Sequence, residues 1–240
     1  MLLELQNVTK YFGGLCVLSE VSFNVDEEEI VGLIGPNGAG KTTLFNVISG
    51  IYRPKEGLIR YRGNNLVGLK PHQVCRSGIA RTFQLVRIIP SMTVLENVLV
   101  GAIYGKKGSN KQALDEALEC LKILNLLEKK DTITDQLTYS DKRLLEIARA
   151  LAAKPQLALL DEPLAGLGHM ETEELMGVIR ELRQTKGISI LWIEHKMDAV
   201  FNLCDRVVVL DYGRKITEGE PRDVAKNENV VEAYLGEPLT

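Results

Sequence analysis

Between a short apolar run and a helical repeat lies Gly35-Pro-Asn-Gly-Ala-Gly-Lys-Thr42. The run before it, Glu29-Ile-Val-Gly-Leu-Ile-Gly35, is bounded by glycine and reads as a strand buried on both faces. The stretch after it, Thr42-Thr-Leu-Phe-Asn-Val-Ile-Ser49, repeats its apolar positions at helical spacing. Strand, glycine-rich turn and helix therefore follow one another, and the turn has the spacing G-x-x-x-x-G-K-[ST]. Glycines at those places let backbone N–H groups turn inward around phosphate oxygens at a helix N-terminus. Lys41 then reaches the outer phosphates, and the Thr42 hydroxyl can ligate Mg²⁺. A plain glycine turn is the alternative, but a position between just these two elements favours nucleotide binding.

A parallel sheet gathers ligands at the C-terminal ends of its strands, and three further segments deliver polar groups to such ends. Leu157-Ala-Leu-Leu-Asp-Glu-Pro163 ends a buried strand in two carboxylates. Asp161 suits a Mg²⁺ ligand, direct or through water, and Glu162 a general base or a group that orients the attacking water. Gln84 closes Ile79-Ala-Arg-Thr-Phe-Gln84, and His195 closes the strand Ile190-Leu-Trp-Ile-Glu-His195. Taken singly, each is a polar strand end. Beside the phosphate loop, Gln84 can reach metal or water and His195 can hydrogen-bond the γ-phosphate.

The rest of the chain sorts by hydrophobic period. Leu3 to Val8, Val21 to Val25 and Leu58 to Tyr61 alternate apolar and polar positions and predict half-exposed, antiparallel strands, broken at Gly13-Gly14 and Gly63-Asn-Asn. From about residue 93 to 153 the period turns helical, predicting an inserted helical subdomain, with Gly105-Lys-Lys-Gly-Ser-Asn110 as its most linker-like stretch. Apolar runs at Leu157, Ile188 and Arg206, separated by helical stretches such as Glu171 to Gln184, predict strand–helix units and a parallel sheet covered by helices on both faces. A net charge of −3 gives no overall field for nucleic acid, so a nucleic-acid partner is not expected. The four cysteines, Cys16, Cys75, Cys120 and Cys204, are too scattered for a zinc site or a disulfide framework and read as buried thiols. The N-terminus lacks a basic, then apolar, leader, and no apolar stretch reaches the ~18 residues of a spanning helix. Any service to a membrane is expected from outside the bilayer.

The phosphate loop, Gln84, the helical block, Leu137-Thr-Tyr-Ser-Asp-Lys-Arg143, Leu157-Ala-Leu-Leu-Asp-Glu-Pro163 and His195, in that order, resemble the ATP-binding-cassette ATPases over essentially the whole chain. The resemblance implies an α/β fold: a RecA-like P-loop NTPase core, an antiparallel β-subdomain at about 1–30 and 56–66, and a helical subdomain at about 93–153, all within one domain, 1–240. It implies ATP and Mg²⁺ as ligands. Gly35, Asn37, Gly38, Gly40, Lys41, Thr42 and Thr43 would bind phosphate, Thr42, Gln84 and Asp161 the metal, and Phe12, with Tyr11 as its neighbour, would stack on adenine. Glu162, Gln84 and His195 would be the catalytic set. The implied partners are a second cassette, identical or not, pairing head to tail around two ATP molecules, and transmembrane permease subunits. The implied location is peripheral, on the cytoplasmic face of the inner membrane. Arg81-Thr-Phe-Gln84, Thr93-Val-Leu-Glu-Asn-Val98, Ile193-Glu-His195 and Val231-Glu-Ala-Tyr-Leu-Gly-Glu237 are similar to the ATPases of bacterial branched-chain amino-acid importers, which implies ATP hydrolysis coupled to amino-acid import.

One motif departs from the family. Its signature is commonly Leu-Ser-Gly-Gly-Gln, a helix N-terminus aimed at nucleotide on the opposite subunit, where Thr138 and Ser140 would make contact. Thr138 keeps a hydroxyl, and an aromatic such as Tyr139 is familiar in the amino-acid branch. Ser140 and Asp141 stand where glycine and glutamine are usual. A carboxylate ~5 Å from a phosphate charge, at an effective dielectric of ~20, is repelled by roughly 3 kcal/mol. Two readings stand together: a working motor with Ser140 and Asp141 turned to capping and water, or a regulatory or coupling cassette that hydrolyses poorly without a partner cassette. After the carboxylates, Ala165-Gly-Leu-Gly-His-Met170 puts Gly168 and His169 in a loop where the family has an acid or asparagine, and His169 reads as a solvent-exposed loop histidine.

Overall fold

A computed structural model of the chain describes residues 1–105 and 109–235. Lys106, Lys107 and Gly108 of the linker-like stretch, and Gly236 and Glu237 of the tail, lie outside the described residues. The chain divides into two compact units, Met1–Pro71 with Ser189–Thr240, and His72–Ile188.

The first unit opens with strands β1 (Leu3–Phe12), β2 (Leu15–Val25) and β3 (Ile30–Ile34), helix α1 (Lys41–Ile48), and strands β4 (Glu56–Tyr61) and β5 (Asn64–Asn65). β1 pairs antiparallel with both β2 and β4, and β5 extends the sheet from β4. β1 and β2 run past the expected ends because Gly13-Gly14 is a two-residue hairpin turn, with Phe12 opposite Leu15 and Gly13 at φ +57°. The outer ends of both strands are exposed, so their apolar alternation fades before the pairing does.

In the second unit come α2 (Pro71–Ser77), β6 (Ile79–Arg81), α3 (Val94–Gly105), α4 (Asn110–Ile123), α5 (Tyr139–Ala152), β7 (Leu157–Asp161) and α6 (His169–Lys186). α3, α4 and α5 pack on one another, and they bury Val94 and Val98, Ala117 and Leu121, and Leu145 and Ala148 respectively. β6 and β7 are parallel, Arg81 opposite Leu159. His169 is the first residue of α6 rather than a loop residue, and α6 begins two residues before the expected Glu171 because the Glu171 carboxylate accepts from the Gly168 N–H at 2.8 Å and caps the earlier turn.

The chain then returns to the first unit with β8 (Ser189–Ile193), α7 (Met197–Leu203), β9 (Arg206–Asp211), β10 (Arg214–Gly219), α8 (Pro221–Val224) and α9 (Glu228–Leu235). There β3 is parallel to β8 on one side and to β9 on the other, and β10 closes that edge antiparallel to β9. All five residues of β3 and of β8 are buried, the pattern of strands covered on both faces. α1 buries Leu44, Phe45, Val47 and Ile48, and emptying the Phe45 site by Phe45→Ala would cost about 3–5 kcal/mol. Cys120 and Cys204 are buried as expected, burial pushing the Cys120 thiol up to about 12, but Cys16 is exposed and Cys75 half-buried.

Candidate functional site: a phosphate loop and a carboxylate edge

In the first unit, β3 and β8 run parallel with Leu33 opposite Ile193, so the phosphate loop and His195 leave the sheet at the same edge. β8 ends at Ile193, two residues short of the expected strand end, because Glu194 folds back: its Oε1 accepts from the His195 N–H at 3.0 Å. His195 itself is exposed.

The loop's shape depends on its glycines. Gly35 has φ +145°, and a Cβ there would fall 2.0 Å from the Leu210 carbonyl oxygen. Gly40, the N-cap of α1, has φ +100°, and its Cβ would meet Leu18 Cδ2 and the Val17 oxygen at 2.9 Å. Asn37, Gly38 and Thr42 are exposed and Thr43 half-buried, all at the N-terminal end of α1. Lys41 is 6% exposed, and its Nζ donates to Gly35 O at 2.7 Å and Pro36 O at 2.9 Å. A buried ammonium held by neutral carbonyls suits an incoming phosphate oxygen. Beside the loop opens a cavity of about 570 Å³ lined by Asn37, Gly38, Asp211, Tyr212, Asn229 and Glu232.

Phe12 and Tyr11 are 41% and 44% exposed at the end of β1. Phe12 meets Tyr52 edge to face at 5.1 Å, and Lys10 Nζ lies 5.1 Å from the Phe12 ring. Two neighbours of the site carry no local sequence mark: Tyr52, which lies forty residues from Phe12, and Tyr234, whose hydroxyl oxygen accepts from the Gly35 N–H at 2.8 Å.

In the second unit, Gln84 and the pair Asp161-Glu162 follow the parallel strands β6 and β7. β6 ends at Arg81 rather than Gln84: Thr82 still donates its N–H to Leu159 O at 3.0 Å, but the carbonyls of Phe83 and Gln84 turn to Arg143 on α5. Gln84 Nε2 nevertheless donates to Glu162 Oε1 at 3.2 Å, so both of these sequence-read groups meet. Glu162 sits at φ +50°, in the left-handed region, as do Asn125 and Lys154 of the same unit. Asp161 is fully buried: Oδ2 accepts from Arg81 Nη2 at 3.1 Å, while Oδ1 has no hydrogen-bond partner. Burial pushes its carboxyl above the ordinary range, and the Arg81 guanidinium opposes part of that shift. An orphaned buried carboxylate oxygen fits a hard, oxygen-seeking cation. Among the described residues no group of three or more acidic, cysteine or histidine side chains forms a cage.

The altered signature opens α5. Thr138 caps it rather than the expected Ser140, its hydroxyl accepting from the Asp141 N–H at 3.1 Å. Ser140 Oγ donates to Glu171 Oε1 at 2.6 Å, and that bond with the Gly168 N–H holds the Glu171 carboxyl below its ordinary range. Asp141 pairs with Lys129 Nζ at 2.6 Å. Its charge is therefore matched within the same unit, and the repulsion expected for a bare carboxylate is offset. Lys129 and Glu171 were not among the sequence candidates, since nothing in their local pattern marks them.

Strand, phosphate loop and helix on a parallel sheet, with an aspartate–glutamate strand end, define a P-loop nucleotide-binding protein. The ABC transporter family model matches residues 18–165, more than half the chain, and a second model, of branched-chain amino acid ATP-binding cassette transporters, matches residues 214–239. The chain is 39% identical to the high-affinity branched-chain amino acid transport ATP-binding protein BraF of Pseudomonas aeruginosa, and 42% identical to LivG, of the same description, from Salmonella typhimurium, each alignment covering 98% of both chains. Among solved structures it is similar to a nucleotide-free ATP-binding cassette from an ABC transporter (TM-score 0.90, 33% identity, 98% of this chain and 99% of that one). It is also similar to an ABC transporter cassette in its ADP conformation (TM-score 0.89, 34% identity, 98% and 99% covered). A bacterial ABC transporter cassette solved as a dimer matches at TM-score 0.83 and 30% identity over 92% of this chain and 99% of that one. The chain belongs to the ABC transporter ATP-binding cassettes and has their fold.

Proposed function

We propose that this cassette hydrolyses ATP to drive import of branched-chain or related amino acids. The carrying observation is the likeness, over 98% of both chains, to ATP-binding proteins of branched-chain amino acid transport, reinforced by the match at residues 214–239. Gly35, Asn37, Gly38, Gly40, Lys41, Thr42 and Thr43 bind the phosphates, and Phe12 the adenine. Bound Mg²⁺ supplies neutralisation of phosphate charge, and Thr42, Gln84 and Asp161 are the residues that would hold it. Glu162 takes the proton of the attacking water at its carboxylate, Gln84 sets the orientation of that carboxylate, and His195 hydrogen-bonds the γ-phosphate. Thr138 and Ser140 serve the nucleotide of an opposing cassette, identical or different. Together the pair works as one domain per chain, peripheral to the cytoplasmic face of the inner membrane, beside transmembrane permease subunits.

The pairing of Asp141 with Lys129 supports a working motor over a coupling cassette that hydrolyses poorly. Glu162→Gln removes the base while keeping shape and hydrogen bonding. Turnover is expected to fall about 100-fold or more with ATP binding retained. Equal turnover in a single-cycle assay would remove Glu162 from the role.

A further inference from the structure

The second unit contains a buried ion pair that the proposed chemistry does not use. Arg143 and Glu146, one turn apart on α5, are each 1% exposed, with Arg143 Nη1 3.7 Å from Glu146 Oε2. Four further hydrogen bonds of the pair reach one loop. Arg143 Nη1 donates to Phe83 O at 3.0 Å and Nη2 to Gln84 O at 3.1 Å, while Glu146 Oε1 accepts from the Phe83 N–H at 3.3 Å and the Arg87 N–H at 3.2 Å. The backbone on both sides of Gln84 is thereby fastened to the helix that carries the signature.

Arg143 has one more bond. Its Nη2 donates to the Tyr139 hydroxyl at 3.1 Å, and the Tyr139 ring lies against Gly166, where a Cβ would come within 2.6 Å of Tyr139 Cε1. Gly166 follows Glu162 by four residues. One guanidinium thus touches the Gln84 backbone directly and the loop after Glu162 through the signature aromatic. Buried ion pairs bring little net stability, so a pair whose hydrogen bonds converge on a single loop is better explained by geometry than by stability.

We infer that Arg143, seconded by Glu146, is a positioning residue that locks Gln84 and the loop following Glu162 to the signature helix, so that the three motifs move as one body. Its link to turnover rests on the ATPase reading above; its link to structure does not.

The test compares full-length wild type with Arg143→Met, Arg143→Lys and Tyr139→Phe, by amide hydrogen exchange and by turnover over an ATP series. In Arg143→Met, exchange across residues 83–87 and 165–167 accelerates about tenfold or more while α1 keeps its protection. Turnover falls about tenfold at unchanged KM, because the phosphate loop is untouched. Tyr139→Phe, which deletes one hydroxyl, accelerates residues 165–167 and leaves 83–87 near wild type, and Arg143→Lys recovers part of both effects. Exchange that rises everywhere, or stays unchanged at 83–87, would overturn the inference, as would a loss expressed in KM. If Arg143→Met does not fold, Tyr139→Phe decides it, since equal exchange at 165–167 contradicts the link. A wild-type chain without turnover would count against the ATPase reading alone.

Discussion

Ser140 donates its hydroxyl proton to Glu171, a carboxylate 31 residues away that also accepts from the Gly168 N–H. Both bonds favour the charged form, so Glu171 titrates below its ordinary 4.5. A depressed carboxyl contributes stability above the unfolded pKa and loses it as pH falls through the lower folded value. Ser140→Ala should therefore bring the Glu171 pKa back up toward 4.5, read by the side-chain carboxyl carbon shift in an NMR titration. The variant and wild type should lose stability differently only below that pH. An unshifted Glu171 would mean that the serine bonds elsewhere in solution. The result matters for function because a hydroxyl engaged by Glu171 must leave it before it can serve a phosphate.

At the scale of elements, α5 begins where its cap places it. Thr138 accepts from the Asp141 N–H, and Asp141 adds an acid to the first turn, where the helix dipole favours it. Thr138→Ala should cost ~1 kcal/mol and lower Tm by roughly 2–4 °C in a thermal melt, while Thr138→Ser stays near wild type. The sequence put this cap two residues later, at Ser140, because either hydroxyl could open the helix, whereas β3, β7 and β8 were legible, because strands covered on both faces leave unbroken apolar runs. The glycine-rich loop after β3 was legible because its glycines answer to backbone geometry, which the motif encodes residue by residue. Gln84 and His195 were found as groups but placed at strand ends that stop two or three residues earlier, since side-chain folding by Glu194 and the pull of α5 leave no periodic mark. Arg143 reads as part of a polar helix face in Asp141-Lys-Arg143, and only its partners, 59 and 60 residues upstream, make it a core residue. Lys129 is hidden for the same reason: a pair 12 residues apart across a turn follows no local rule.

At the scale of the whole molecule, the decisive quantity is how turnover depends on concentration. On the function proposed above, a signature serving nucleotide on an opposing chain makes each site composite, and a cassette of this family has been solved as a dimer. Specific activity should therefore rise with protein concentration before levelling, and ATP-loaded Glu162→Gln should show twice the single-chain mass by light scattering, because blocked hydrolysis keeps the pair closed. Lys129 decides how the altered signature behaves in that pair. With Asp141 neutralised at 2.6 Å, restoring glycine and glutamine by Ser140→Gly with Asp141→Gln should change turnover by no more than about threefold, an effect under ~1 kcal/mol. Lys129→Ala leaves the carboxylate bare and should weaken ATP-dependent pairing, with Asp141→Gln restoring it. Pairing that is indifferent to Lys129 would separate the Asp141 charge from the interface. A homodimer that turns over only after the signature is restored would instead assign the native site to a second, different cassette.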